Sequence, residues 1–242
     1  MSASRILSID ALDLAFAARP WPFAEAEADR IADHWRARVE SQPRLYNGRV
    51  LLLGRHALGA DRRGTTLRGE YFETDFAAFL AWRDFGFPDH TVVNCFSMAA
   101  LVGADGAFLL GEMAAHTANA GATYFPAGTP DPSDVFDGKV DLAASALREL
   151  QEETGIAADA VAFDPGWTLV YAPPRIACLK LMRLAEPAET VKAGVEAFLA
   201  ADADAELAAI RVVRGPADVD RARAPGFIVD FLDYAFAHKS AG

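Results

Sequence analysis

The chain has 242 residues, 52% of them hydrophobic, and a formal net charge of −11. The apolar fraction suffices for an ordinary packed core, and no run of about 18 consecutive apolar residues predicts a membrane span. The acidic balance excludes general nucleic-acid binding, which needs a basic surface. The first ten residues, MSASRILSID, lack the pattern of a signal peptide. We therefore expect a cytoplasmic protein with no membrane or nucleic-acid partner.

Residues 1–90 are predicted to alternate between strands and helices. Hydrophobic periodicity predicts the following elements: a strand over 5–17, a helix over 23–41, strands over 48–58 and 66–72, and a helix over 73–86.

Residues 91–242 carry a second set of predicted elements. They begin with a hairpin pattern around a glycine turn at 91–114 and include two strands about a proline break at 166–184. A helix follows at 189–200, then a strand at 206–215 and a closing helix at 227–239. Cys95 and Cys178 lie in strand-like apolar segments, so we expect two buried, reduced thiols, and no Cys–His spacing suggests zinc.

The stretch RELQEETGI, residues 148–156, concentrates negative charge near the end of a predicted helix. The helix is expected over 142–154, with Asp141 as its N-cap and Gly155 as the left-handed residue that ends it. Helical geometry sets its three glutamates within one arc, where the helix dipole disfavours anions. Spacing alone leaves three readings open, namely a solvated acidic face, a protein–protein surface, or oxygen ligands for a hard divalent cation.

The same residues resemble the second half of the Nudix hydrolase signature, Arg-Glu-apolar-any-Glu-Glu-any-Gly-apolar, at every fixed position. The segment YFPAGTPD, residues 124–131, resembles the proline–glycine turn before that signature. The resemblance implies an α+β protein, an α/β/α sandwich with a mixed β-sheet, over 91–242. Residues 1–90 would form an α+β extension packed on this core, and its arrangement resembles that of Nudix proteins acting on nucleotide sugars.

The resemblance also implies an activity, the metal-dependent hydrolysis of a pyrophosphate bond in a nucleoside diphosphate linked to another moiety, such as a sugar. The cofactor would be Mg²⁺, with Mn²⁺ as a substitute, and the partner a small nucleotide-type substrate; a homodimer is compatible with this reading. The implied metal ligands are Glu149, Glu152, Glu153, Glu206 and the Gly128 carbonyl. Catalytic roles would fall to Glu152, Glu153 and Arg148, with Arg148 fixing the rotamer of a signature glutamate.

Other candidate residues follow from local pattern. Glu206 shares strand parity with Ile210 and can face inward; its rivals as an additional acidic ligand are Asp202, Asp204 and Glu189. Tyr171 and Arg175 stand at the proline break. They could bind substrate, or they could belong to a plain turn.

The first half of the signature departs from the family pattern. Asp134 stands at its leading glycine position and Val140 at its leading glutamate position, and the loop carries an insertion. Asp141 is one residue out of register. This departure supports an alternative function, a Nudix-fold nucleotide-binding or regulatory module with weak or no turnover. If nothing replaces the glutamate, we expect Val140→Glu to raise turnover.

Overall fold

The computed structural model describes residues 4–62, 64–117 and 119–239. The strands in chain order are β1 Arg5–Ile9, β2 Ala11–Phe16, β3 Arg49–Asp61, β4 Gly64–Asp75, β5 Asn94–Val102, β6 Phe108–Met113, β7 Thr123–Tyr124, β8 Ala127–Gly128, β9 Val135–Phe136, β10 Lys139–Val140, β11 Val161–Phe163, β12 Trp167–Ala172, β13 Arg175–Leu184 and β14 Leu207–Val213. The helices are α1 Pro22–Ala26, α2 Ala28–Ser41, α3 Phe76–Asp84, α4 Leu142–Thr154, α5 Ala188–Ala200 and α6 Gly226–Lys239. Within these described stretches, no helix has the length and apolarity needed to cross a membrane.

The larger sheet is the middle layer of a sandwich. Its strand order is β1-β12-β13-β5-β6-β14, with β13 and β5 parallel and the shorter β11, β7 and β8 paired alongside. All nine residues of β5 are buried, because α6 covers one face of the sheet while α4, α5 and the second sheet cover the other. Phe96 and Met98 face the cluster that includes Phe231 of α6, whereas Ala99 and Leu101 face α4 and α5. This arrangement confirms the predicted α/β/α sandwich with a mixed sheet.

The second sheet, of order β3-β4-β2-β10-β9, packs against the first. One of its faces carries helices α1 to α3 around an aromatic cluster that includes Trp82. Its other face contributes Leu51, Leu53 and Leu67 to an apolar cluster shared with Leu169 of the larger sheet. Burial of that shared apolar surface from water attaches the N-terminal residues to the rest of the chain. The exact domain division at residue 90 stays a prediction.

The segment predicted as one strand over 5–17 is two strands in different sheets, so that prediction was wrong. Strand β1 pairs antiparallel with β12 in the larger sheet, and β2 pairs parallel with β4 in the smaller one. The chain crosses between the sheets at Asp10, whose backbone N–H donates to Thr65 O (2.8 Å) and whose Oδ2 accepts from Thr65 N (2.6 Å). The predicted helix over 23–41 is likewise interrupted, at Glu27.

The insertion in the first half of the signature is a β-hairpin that belongs to the smaller sheet. Strands β9 and β10 are joined by Asp137 and Gly138, both with positive φ, as a tight two-residue hairpin turn requires. Lys139 pairs with Ala15 of β2. Val140 is only 6% exposed and belongs to the apolar cluster between the sheets. The expectation that Val140→Glu would raise turnover is therefore corrected, because the new carboxylate would enter the core.

We predict that Val140→Glu lowers the free energy of unfolding by at least about 2 kcal/mol, since an unpaired buried charge is among the most destabilising changes. Phe136→Glu is the matched control, because Phe136 is 55% exposed on the neighbouring strand, and it should change stability by no more than about 0.5 kcal/mol. Urea unfolding of the two variants measures the difference. Equal stabilities would show that residue 140 is not a core position.

Candidate active site

The helix that carries the signature glutamates begins and ends as the sequence predicts. It spans Leu142–Thr154, and Asp141 Oδ1 accepts hydrogen bonds from Ala143 N (2.9 Å) and Ala144 N (3.0 Å). Gly155 closes it with φ 72°, a conformation that favours glycine. The predicted bounds and both caps are confirmed. The Asp141 side chain thus serves as the cap that the sequence predicts.

Arg148 lies at the centre of a cluster of carboxylates. Its Nη1 donates to Glu149 Oε1 (2.8 Å) and Glu152 Oε2 (3.3 Å), and its Nη2 donates to Asp134 Oδ2 (3.1 Å). Burial alone would lower the pKa of Arg148, but the hydrogen bond to Asp134 and the charge of Glu149 raise it above its usual value. The guanidinium therefore stays charged and ties the signature helix to the turn that contains Asp134.

Asp134 is a site residue that the sequence reasoning treated only as a departure from the family pattern. It is 2% exposed, and besides binding Arg148 it accepts a hydrogen bond from Asp131 N (3.0 Å). Asp131 in turn accepts from Ser133 N (2.7 Å), which completes a capping box. The segment DPSD, residues 131–134, could have predicted this turn from the sequence. An acid three residues after a capping aspartate, with proline between them, is typical of such a turn.

Two of the signature glutamates, Glu149 and Glu153, are shielded from water. Burial raises the pKa of Glu149 to about 7; the charge of Arg148 opposes this rise, and repulsion from Glu152 and Glu206 adds to it. Burial also raises the pKa of Glu153, helped by the charges of Glu149 and Glu206. Glu153 Oε1 accepts a long hydrogen bond from Ala127 N (3.4 Å), and its Oε2 is buried with no hydrogen-bond partner among the described residues.

Gly128 lies directly against the carboxylate of Glu149. A Cβ at this position would come within 2.2 Å of Glu149 Oε1, so any side chain would displace the carboxylate. Strand β8, which contains Gly128, pairs with β5 at Ser97 and is thereby held in place. The turn predicted at residues 124–131 thus reaches the signature helix. Whether the Gly128 carbonyl is a metal ligand stays a prediction.

A cleft of about 230 Å³ runs beside these glutamates. It is lined by six acids together with Phe198, Leu199 and Ala205; the acids are Glu149, Glu152, Glu153, Asp202, Asp204 and Glu206. The structure thus places Glu206 in the same cleft as Asp202 and Asp204, two of the three alternative acidic ligands. The third rival, Glu189, pairs instead with Arg214 (3.1 Å).

The strand-parity argument for Glu206 does not hold. Glu206 precedes the first residue of β14, and the register of that strand shifts between Leu207 and Ala209. Such a bulge changes which side chains share a face. Glu206 is exposed and reaches the cleft from the strand's entry, where its carbonyl accepts from Ala114 N (2.8 Å).

The residues present fit a hard cation. Carboxylate oxygens are the ligands Mg²⁺ prefers, and the buried Oε2 of Glu153 lacks a partner that a cation would supply. A cation would also remove the cost of crowding ionised carboxylates in a buried site. In the described parts of the chain, no three His, Cys, Asp or Glu side chains already converge as a ligand set. Glu149 and Glu152, both held by Arg148, would therefore turn to share a cation with Glu153.

Tyr171 and Arg175, the two candidate substrate-binding residues, lie outside the acidic cleft. The Tyr171 hydroxyl is 3.0 Å from His56 Nε2 in the smaller sheet, and the Arg175 guanidinium lies 4.9 Å from the centre of the Phe87 ring. Neither residue lines the cleft beside the glutamates. Their contact with substrate stays a prediction.

The raised pKa of Glu149 predicts a pH-dependent stability in the absence of metal. Its folded-state pKa, about 7, lies above the usual 4.5, so its contribution to stability is full below about pH 4.5 and is lost as pH rises through about 7. Between about pH 5 and about pH 8, wild type should lose roughly 2 to 3 kcal/mol relative to Glu149→Gln. Urea unfolding in EDTA measures this, and parallel curves for the two proteins would contradict it.

The bond between Asp134 and Arg148 predicts a second effect on stability. Asp134→Asn keeps the size of the side chain but removes the charge opposite the guanidinium, and should cost about 1 to 3 kcal/mol. Asp131→Asn is the control, because Asp131 Oδ2 is 3.7 Å from Arg148 Nη2 and more exposed; its cost should stay below about 1 kcal/mol. Equal unfolding free energies would rule out Asp134 as the main anchor.

Solved structures similar to this chain include several Nudix proteins. An Ap4A hydrolase from C. elegans shares 15% identity over 62% of this chain and 100% of its own, with a TM-score of 0.45. A MutT protein from Methanosarcina mazei Go1 shares 18% over 62% and 96%, with a TM-score of 0.41. The Nudix hydrolase RenU from M. smegmatis shares 14% over 61% and 84%, with a TM-score of 0.39. A search of curated proteins found no significant match.

The sequence itself matches the NUDIX domain over residues 94–224, more than half of the chain. That range contains the signature helix, Arg148 with its carboxylates, and the glycine turn against Glu149. Members of this family generally act on nucleoside diphosphate derivatives. The fold, the geometry around Arg148 and this match agree, and the chain belongs to the Nudix family.

Proposed function

We propose that this protein is a metal-dependent hydrolase that cleaves the pyrophosphate bond of a nucleoside diphosphate linked to another group, such as a sugar. The observation that carries the proposal is the buried Oε2 of Glu153, which has no hydrogen-bond partner in the described part of the chain and lies beside Glu149 at a cleft lined by acids. If these residues formed only a solvated acidic helix face, Glu153 would be exposed. It is 6% exposed.

The cation would be held by the residues that the resemblance implies. These are Glu149, Glu152, Glu153, Glu206 and the carbonyl of Gly128, with Asp202 and Asp204 lining the same cleft. When bound, Mg²⁺ or Mn²⁺ neutralises phosphate charge and acts as a Lewis acid. Pyrophosphate resists hydrolysis because negative oxygens shield both phosphorus atoms. The cleft is also acidic, so it requires such a cation before a phosphate can enter.

The protein's own groups have separate tasks in this proposal. Glu152 is 60% exposed at its side chain; its Oε2 accepts from Arg148, and its Oε1 would accept a proton from the attacking water. Arg148 is a positioning residue that holds Glu149 through Oε1. Asp134 holds Arg148 from outside the helix and thereby supplies an acid that the first half of the signature lacks at Val140.

A second candidate is a nucleotide-binding or regulatory module without turnover. It is favoured by one observation, the burial of Val140 in the core between the sheets, which leaves no carboxylate at the leading glutamate position. The two candidates differ in turnover and agree in ligand class.

The experiment that separates them is a phosphate-release assay over a panel of nucleoside diphosphate derivatives with Mg²⁺ or Mn²⁺, run beside a thermal-shift screen. Hydrolysis of one or more compounds supports the first candidate. Stabilisation without cleavage supports the second, and a ligand at about 100 times its Kd adds roughly 2.7 kcal/mol. Folded protein that neither cleaves nor binds any of them would refute both.

We predict that Glu152→Gln lowers turnover at least about 100-fold, the usual effect of removing one good electrostatic contact at a reacting centre. Because Glu152 is largely exposed, the metal-free stability should stay within about 0.5 kcal/mol of wild type. Glu196→Gln, a change on α5 outside the acidic cleft, is the control and should keep full activity. Full activity of Glu152→Gln would remove Glu152 from the proposed machinery.

A further inference from the structure

The connector between α2 and β3, residues 42–48, reaches the loops on one side of the acidic cleft. Gln42 Nε2 donates to Thr117 O (3.2 Å), and Arg44 Nη1 lies 2.6 Å from Asp204 Oδ1. Asp204 lines the cleft. The beginning of the 42–48 connector is therefore held against the rim of the site.

The other end of the connector is held near the turn that lies against Glu149. Leu51 N, just beyond it, donates to Pro130 O (2.7 Å), and Pro130 follows closely on Gly128, which lies against Glu149. Asn47 Oδ1 accepts from Ala77 N (2.8 Å), which fixes the connector to α3. The 42–48 connector thus runs from the loop of Asp204 to the loop of Pro130, and both loops flank the signature glutamates.

The connector adds a cation and a second exposed aromatic ring beside the cleft, which already contains Phe198. Within the described part of the chain, the residues lining the cleft include no lysine or arginine, so Arg44 is a cation set at its acidic rim. Tyr46 is 82% exposed, and its ring lies against Gly48, where a Cβ would be 3.2 Å from it. A large aromatic side chain held open to solvent gives a flat surface on which a base can stack.

We propose that the 42–48 connector is the substrate-recognition wall of the site, with Tyr46 stacking on the nucleobase and Arg44 binding a phosphate. This rests on the proposed function only in naming a nucleotide as the ligand. Arg44 would exchange the carboxylate of Asp204 for phosphate oxygens, a charge-assisted contact to which the guanidinium fork is suited. The N-terminal residues would then determine which nucleotide derivative is accepted, whereas the signature helix would determine the reaction.

The test compares Tyr46→Ala and Arg44→Ala with two controls. Tyr46→Phe keeps the ring, and Arg36→Ala removes an exposed arginine of α2 that pairs with Asp33 rather than with the cleft. Binding of ADP-ribose, UDP-glucose and base-free ribose 5-phosphate is measured by calorimetry with Ca²⁺, a hard cation that takes oxygen ligands, and KM and kcat are measured with Mg²⁺ for compounds that turn over. Circular dichroism and Tm establish that each variant is folded.

Tyr46→Ala should weaken binding of the base-bearing probe that wild type binds best by about tenfold, as loss of one stacked base predicts, with little change for ribose 5-phosphate. Arg44→Ala should weaken all phosphate probes about fivefold or more. KM should rise with kcat nearly unchanged, and both controls should resemble wild type. Unchanged affinities in Tyr46→Ala and Arg44→Ala, or a wild type that binds no nucleotide probe, would overturn the proposal. Binding without turnover would instead contradict only the proposed hydrolysis.

Discussion

The arrangement of this site depends on one guanidinium placed among three carboxylates. Glutamates near the end of a helix repel one another and oppose the helix dipole, and Arg148 offsets both effects by binding Glu149 and Glu152. Its second nitrogen binds Asp134 outside the helix, so the same charge also fixes the preceding turn. Among the residues that the structure describes, no basic side chain pairs with the buried Glu153, and this makes the cluster receptive to a cation.

The departure of the signature from the family pattern has a structural explanation. Its first half forms β9 and β10 of the smaller sheet, where β10 pairs with β2. Val140 serves the packing of the two sheets, and the acid that contacts Arg148 comes from Asp134 instead. Strand β1 adds to the larger sheet. The N-terminal residues therefore hold the loop that precedes the signature helix, and the 42–48 connector extends their contacts to the cleft.

Structural features that depend on local sequence pattern could be predicted from the sequence. Features that depend on pairing between distant segments could not. The helix over 142–154 and its two caps follow from apolar periodicity and from the chemistry of Asp141 and Gly155. The crossover at Asp10 could not be inferred, because alternation along one segment does not show which sheet each half joins. Val140 was read as a lost ligand because its partner strand β2 lies far away in the chain, and the parity of Glu206 was altered by a bulge.

The central claim is that Glu153 and its neighbours form a cation site organised by Arg148. Anomalous diffraction from crystals soaked in Mn²⁺ tests it most directly, because the signal locates the ion independently of any reaction. The account predicts one or more peaks among the cleft acids, with an ion about 2.0 to 2.6 Å from a carboxylate oxygen of Glu153 and Arg148 still bound to Asp134. Mn²⁺ that binds elsewhere, or a cluster that remains without Mn²⁺ at saturating concentration, would contradict it.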